Sequence, residues 1–106
     1  MWRCDMKYMI DIEKEDASIA VHYDLSVPVG GAELIATFQV WIDGEQVITE
    51  KASGNTRFFG TAYTKLRDDT KDTPVAFELT STQGFEATDT DKLRGGKRYD
   101  SVEFSA

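Results

Sequence analysis

Ala17-Ser18-Ile19-Ala20-Val21-His22-Tyr23-Asp24-Leu25-Ser26-Val27-Pro28-Val29 alternates side chains along its whole length. Ala17, Ile19, Val21, Tyr23, Leu25, Val27 and Val29 fall on one side of an extended chain. Ser18, Ala20, His22, Asp24 and Ser26 fall on the other. A period of two belongs to a half-buried β-strand, because successive side chains of an extended backbone point to opposite faces. The same period flanks this stretch. Upstream, Met6, Tyr8, Ile10 and Ile12 oppose Lys7, Met9, Asp11 and Glu13; downstream, Leu34, Ala36, Phe38, Val40 and Ile42 oppose Glu33, Ile35, Thr37, Gln39, Trp41 and Asp43.

The turns between these runs suggest a register. A two-residue loop at Glu15-Asp16 sets Ile12 against Ile19, Ile10 against Val21, Tyr8 against Tyr23 and Lys7 against Asp24. Gly30-Gly31 supplies a second tight turn, setting Val21 against Val40, Tyr23 against Phe38 and Ile19 against Ile42. These pairings make an N-terminal meander. Asp43-Gly44 is a third hairpin dipeptide. A simple two-residue loop there pairs Val40 with Val47 and turns Ile48 outward, whereas a bulge turns Ile48 inward.

Further along, Ser53-Gly54-Asn55 reads as a turn, 57–66 as a fifth strand and 67–73 as a polar loop closed by Pro74. Val75, Phe77 and Leu79 mark a sixth strand that ends at Gln83-Gly84. Thr88-Asp89-Thr90-Asp91 has the spacing of a capping box, so a short helical turn ending at Gly95-Gly96 is expected there. Val102 and Phe104 mark a closing strand. Eleven threonines, seven valines and six isoleucines against five leucines favour the pleated conformation throughout. With 106 residues the chain is one domain, residues 1–106, with 1–5 as a flexible end. The fold class that follows is all-β: an antiparallel β-sandwich or small β-barrel of seven to eight strands with an N-terminal meander.

Composition removes several kinds of chemistry. One cysteine, Cys4, excludes an internal disulfide and a multi-cysteine zinc site, and one histidine, His22, leaves a single candidate base for Ser18, Ser26 or Cys4. Asp89 and Asp91 resemble the start of a calcium loop, but Leu93 stands where a third oxygen ligand belongs. No metal and no cofactor is expected, and the chain reads as non-enzymatic. Lys92-Leu93-Arg94-Gly95-Gly96-Lys97-Arg98 has the basic glycine-containing character of an anion loop without phosphate-loop spacing; it reads as a solvated loop facing the acids of its own chain. No run approaches the roughly 18 apolar residues of a membrane span. The first residues lack the apolar core of a secretory signal, so cytoplasmic residence is expected.

Charge carries the functional expectation. The net charge is −7, and residues 11–50 hold nine carboxylates against Lys14 alone. Such a field repels nucleic acid and anionic lipid and attracts basic protein surfaces. The registers above gather Met9, Ala20, Ile35 and Trp41, joined by Ile48 if the 43–44 loop is the simple one, on one outer face beside His22, within a rim that includes Asp11, Glu13, Asp24, Glu33 and Asp43. An out-facing tryptophan inside an acidic rim suggests an interface anchor. The expected function is a protein-interaction module, of the kind an acidic inhibitor or immunity-type protein represents. Its binding residues are Trp41, Ile35, Met9, His22, Asp11, Asp24 and Asp43. A second reading is a small barrel enclosing an apolar ligand among Tyr8, Tyr23, Phe38, Phe58 or Phe59, Tyr63 and Phe77. A third is a structural subunit of a larger assembly.

Overall fold

A computed structural model describes residues 7–26, 35–53, 57–82 and 86–106. The described residues form eight strands: β1 (Lys7–Glu15), β2 (Ser18–Ser26), β3 (Ile35–Ile42), β4 (Glu45–Ser53), β5 (Arg57–Lys65), β6 (Thr73–Ser81), β7 (Glu86–Leu93) and β8 (Tyr99–Ser105). They build two antiparallel four-stranded sheets, ordered β5-β2-β1-β8 and β4-β3-β6-β7. The fold is all-β, as the alternation implies, and of the two expected forms it takes the sandwich. Among the described residues no helix is long and apolar enough to cross a membrane.

The inward halves of the strands make the core. Ile10, Ile12, Val21, Leu25 and Phe104 of the first sheet face Phe38, Val40, Phe77 and Leu79 of the second, all buried. Phe77 is the centre of a ring cluster, 4.9 Å from Tyr8 and 5.8 Å from Phe104 between centroids. These rings fill the space between the sheets that the ligand-barrel reading reserves for a cavity. Phe59 and Tyr63, assigned to the same lining, stand outside.

Two pairings differ from the sequence expectation. β1 and β2 pair with Ile12 opposite Val21 and Tyr8 opposite Leu25, a slip of two residues that preserves every face. The turn is therefore Asp16-Ala17, not Glu15-Asp16. Asp16 takes φ +53°, which aspartate tolerates better than most residues. The turn is held from both sides: the Asp16 amide donates to the Arg98 carbonyl (2.6 Å), and the Leu66 amide donates to the Ala17 carbonyl (2.7 Å). Lys7 consequently faces Ser26, and Asp24 takes Arg57 instead.

The larger correction concerns β3, which pairs with β4 and β6 rather than with β2. The meander therefore stops after β2, and the chain crosses to the other sheet. Tyr23 and Phe38 still meet, with centroids 5.3 Å apart, but across the core from opposite sheets. Matching apolar periods do not distinguish partners within one sheet from partners facing it, since both present the same inner side.

The β3–β4 hairpin combines both alternatives. Asp43 (φ +52°) and Gly44 (φ +78°) form the two-residue turn, and a bulge between Val40 and Trp41 shifts the register so that Ile48 pairs with Val40 and is buried. Residues 88–93 contain no helical turn; β7 occupies them. The aspartates do cap amides there, but those of a strand. Asp89 Oδ1 accepts from the Thr90 amide and Asp91 Oδ1 from the Lys92 amide, both at 2.8 Å. The turns expected at Gly30-Gly31, Gly54-Asn55 and Gln83-Gly84, and the end at 1–5, lie outside the described residues.

One end of the sandwich is closed by a polar lock. Lys14 continues the inward parity of β1 and is buried, its ammonium donating to the Arg94 carbonyl at 2.7 Å. Around it the 66–72 and 94–98 loops join. The Gly96 amide donates to the Asp69 carbonyl (2.8 Å), and the Gly95 amide donates to Asp72 Oδ1 (2.9 Å). Gly95 lies so close to the Lys71 backbone that a Cβ would come within 2.2 Å of its carbonyl carbon. Two of the four bases of the basic segment meet acids of the chain: Lys92 pairs with Asp72, and Arg98 lies beside Glu15 and Asp16.

Candidate functional site: the outer face of the first sheet

Because β3 belongs to the second sheet, the residues expected to share one face are divided. Met9, His22, Asp11 and Asp24 occupy the outer face of the first sheet. Ile35 and Trp41 occupy the outer face of the second, and Asp43 sits in the turn beyond it. Trp41 is half-buried over Ala76 and lines an open groove of about 570 Å³ with Gly44, Pro74 and Thr90. It cannot combine with Met9 into one patch.

The first face is built in rows across β5-β2-β1-β8. Phe59, Asp24, Met9 and Ser105 make one row; Thr61, His22, Asp11 and Glu103 the next; Tyr63, Ala20, Glu13 and Ser101 the third. Beyond them Lys65, Ser18, Glu15 and Tyr99 complete the surface. The large hydrophobic side chains that stand exposed among the described residues are Met9 (52%), Phe59 (70%), Tyr63 (79%) and Tyr99 (56%), and all four lie on this face.

The placement of aromatics on β5 has a local cause. The strand's inward positions are Phe58, Gly60, Ala62 and Thr64, opposite Leu25, Tyr23, Val21 and Ile19. The Tyr23 ring lies over Gly60, where a Cβ would meet its hydroxyl at 2.6 Å. A neighbouring strand thus fills the inner space of β5, so small residues suffice inside and Phe59 and Tyr63 project outward.

Between the aromatics the face is acidic. Asp11 stands directly opposite Glu103 and two residues from Glu13 on the same side of β1. Like charges directly opposed on a sheet are destabilising. Partial burial pushes the Asp11 carboxyl above its ordinary range, with further upward pressure from Glu13 and Glu103 that His22 partly offsets. Asp24 behaves differently. Arg57 donates to both its oxygens (3.0 and 2.7 Å) and holds its carboxyl below the ordinary range, while the guanidinium also lies 5.3 Å from the Phe59 ring centre. Asp24 is therefore committed to an internal pair, and the open charge belongs to Asp11, Glu13 and Glu103.

His22 bridges two neighbours. Its Nδ1 is 2.9 Å from Thr61 Oγ1 and its Nε2 3.5 Å from Glu13 Oε2. Hydroxyl, imidazole and carboxylate in line are the residue types of a nucleophilic relay. Here they lie across an open pleated surface rather than in a cleft that would hold a substrate away from water. The contacts orient the ring. Among the described residues no group of three or more histidine, cysteine, aspartate and glutamate side chains is arranged to hold a metal ion.

Met9, Asp11, His22 and Asp24 follow from strand parity, whereas Phe59, Tyr63, Tyr99 and Glu103 join the face only through the pairing of β5 and β8 with β2 and β1. Strand alternation in 57–66 was visible; which side was inward was not, because Phe58 and Phe59 are adjacent and Gly60 disguises the inner row. Comparison with known proteins adds no assignment, since no family model, curated protein or solved structure matches the chain.

Proposed function

We propose that the chain is a non-enzymatic interaction module that binds a basic segment of another protein on the outer face of its first sheet. One observation carries the reading: the four exposed large hydrophobics surround the carboxylates Asp11, Glu13 and Glu103 on a single face, with the His22 imidazole, 3.5 Å from Glu13, as their basic neighbour. Aromatic anchors supply buried area, and a central acidic row supplies orientation and attraction for a cationic partner. A positive charge beside Asp11 relieves the repulsion that the free protein carries. An inhibitor that occupies the basic site of a target is one natural form of such a module.

The test is an NMR titration of the labelled chain with a nine-residue peptide of alternating lysine and serine. Amide shifts are expected at Asp11, Glu13, Ala20, Tyr63 and Glu103, with affinity falling as salt is raised. Shifts confined to the Trp41 groove, or no saturable shifts, would reject the assignment of this face.

A further inference from the structure

Tyr63 and Tyr99 stand on β5 and β8, the two edges of the first sheet, yet both line one surface cavity of about 210 Å³. Glu13 and Glu15 line the same cavity, and Ser18 and Ala20 belong to its lining as small side chains. We propose that this cleft receives an arginine side chain of the bound partner. The proposal rests on the reading of the face given above and names its anchor.

The chemistry selects a guanidinium. A planar cation stacks on aromatic faces and presents a fork of N–H donors that matches carboxylates. A lysine ammonium offers a compact charge without the plane, and an apolar side chain would desolvate two carboxylates with no return. Glu13 has His22 Nε2 at 3.5 Å, longer than a good hydrogen bond, so it can accept from an incoming donor. Arg98 Nη2 approaches Glu15, the other carboxylate of the cleft, to 3.7 Å, with both side chains well exposed. That contact is loose, and a partner arginine reaching Glu13 between the two rings displaces little to enter.

The experiment compares the lysine–serine peptide with the same peptide carrying arginine in place of its central lysine. For the wild-type chain the arginine peptide is expected to bind about two- to fivefold more tightly, the scale of an exposed cation–aromatic contact. That gain should vanish in Tyr63→Ala and in Tyr99→Ala; each variant also weakens the lysine peptide by removing an aromatic anchor of the face, so the readout is the ratio of the two peptides' affinities within each variant. Arg98→Ala should change the gain by less than about twofold, because its exposed contact with Glu15 is loose. Both tyrosines are exposed, so unchanged amide spectra away from the cleft serve as the folding control. If the lysine peptide binds the face but arginine brings no gain, or the gain survives both tyrosine variants, the anchor is overturned and the face stands. If neither peptide binds, both fall.

Discussion

The two outer faces of this sandwich rest on one core and are finished in different ways. Across the second sheet run Gln46, Trp41, Ala76 and Thr90 in one row, and Thr49, Gln39, Glu78 and Thr88 in the next. Gln46 Nε2 donates to Gln39 Oε1 at 2.7 Å, Trp41 is half-covered, and Glu78 is the one carboxylate in those two rows. Across the first sheet, Asp11 opposes Glu103, and Phe59, Tyr63 and Tyr99 project into solvent. A sheet needs only one buried face, so neither finish is required by the fold. The unfavourable choices are concentrated on one side, and local conflict of that kind tends to accompany a binding surface.

The largest expected effect tests whether the faces share their foundation. Phe77→Ala removes the ring that touches both Tyr8 and Phe104 and should cost about 3–5 kcal/mol in chemical denaturation. Hydrogen exchange should rise on both faces together; a rise confined to the second sheet would mean that the first is stable alone. Gly95→Ala comes next. Its Cβ must displace the Lys71 backbone, so a loss of about 1–3 kcal/mol is expected, with disorder at the Lys14 end and peptide binding at the distant Asp11 row retained.

Asp11→Asn separates stability from binding. It should stabilise the fold by about 0.2–1 kcal/mol at neutral pH by relieving the cross-strand repulsion, yet weaken the lysine peptide. The sign follows from the raised carboxyl. Ionised Asp11 is unfavourable in the folded state, so its cost is fully present above the folded-state titration and disappears as pH falls below the ordinary aspartate value of 3.8. The stability difference between wild type and Asp11→Asn should therefore close in acid. Asp24 has the opposite sign, since its paired form contributes above 3.8 and is lost as pH falls through its lowered titration. The smallest effect belongs to the second face: Trp41→Ser should leave peptide affinity unchanged. A loss matching that of Asp11→Asn would erase the distinction between the faces.

What the sequence disclosed follows the physics of each signal. Parity is local, so the inner and outer residues of β1, β2, β3 and β6 were legible, including Met9, Asp11, His22 and Asp24. Pairing is not local. The β1–β2 slip keeps all faces, so alternation cannot detect it; the Arg98 and Leu66 contacts that hold Asp16-Ala17 come from distant parts of the chain. Assignment of β3 to a sheet depends on which apolar rows face each other across the core, and Tyr23 and Phe38 satisfy either arrangement. Alternation alone therefore sets Trp41 beside Met9, whereas the two lie on the outer faces of different sheets. The aromatic rim stayed hidden because Gly60 makes the inner row of β5 look empty until the ring of Tyr23 is placed over it.

Strand β7 ends its sheet, and an open strand edge invites a second molecule to add a strand of its own. Asp89 and Asp91 share the core-facing side of β7 with Leu93, across from Phe77 and Val75, and remain exposed there. Their carboxylates already hold the Thr90 and Lys92 amides. A newcomer pairing along this margin would have to strip two acceptors from those amides and enclose two negative charges. The short acidic run thereby makes this edge a poor template for an added strand.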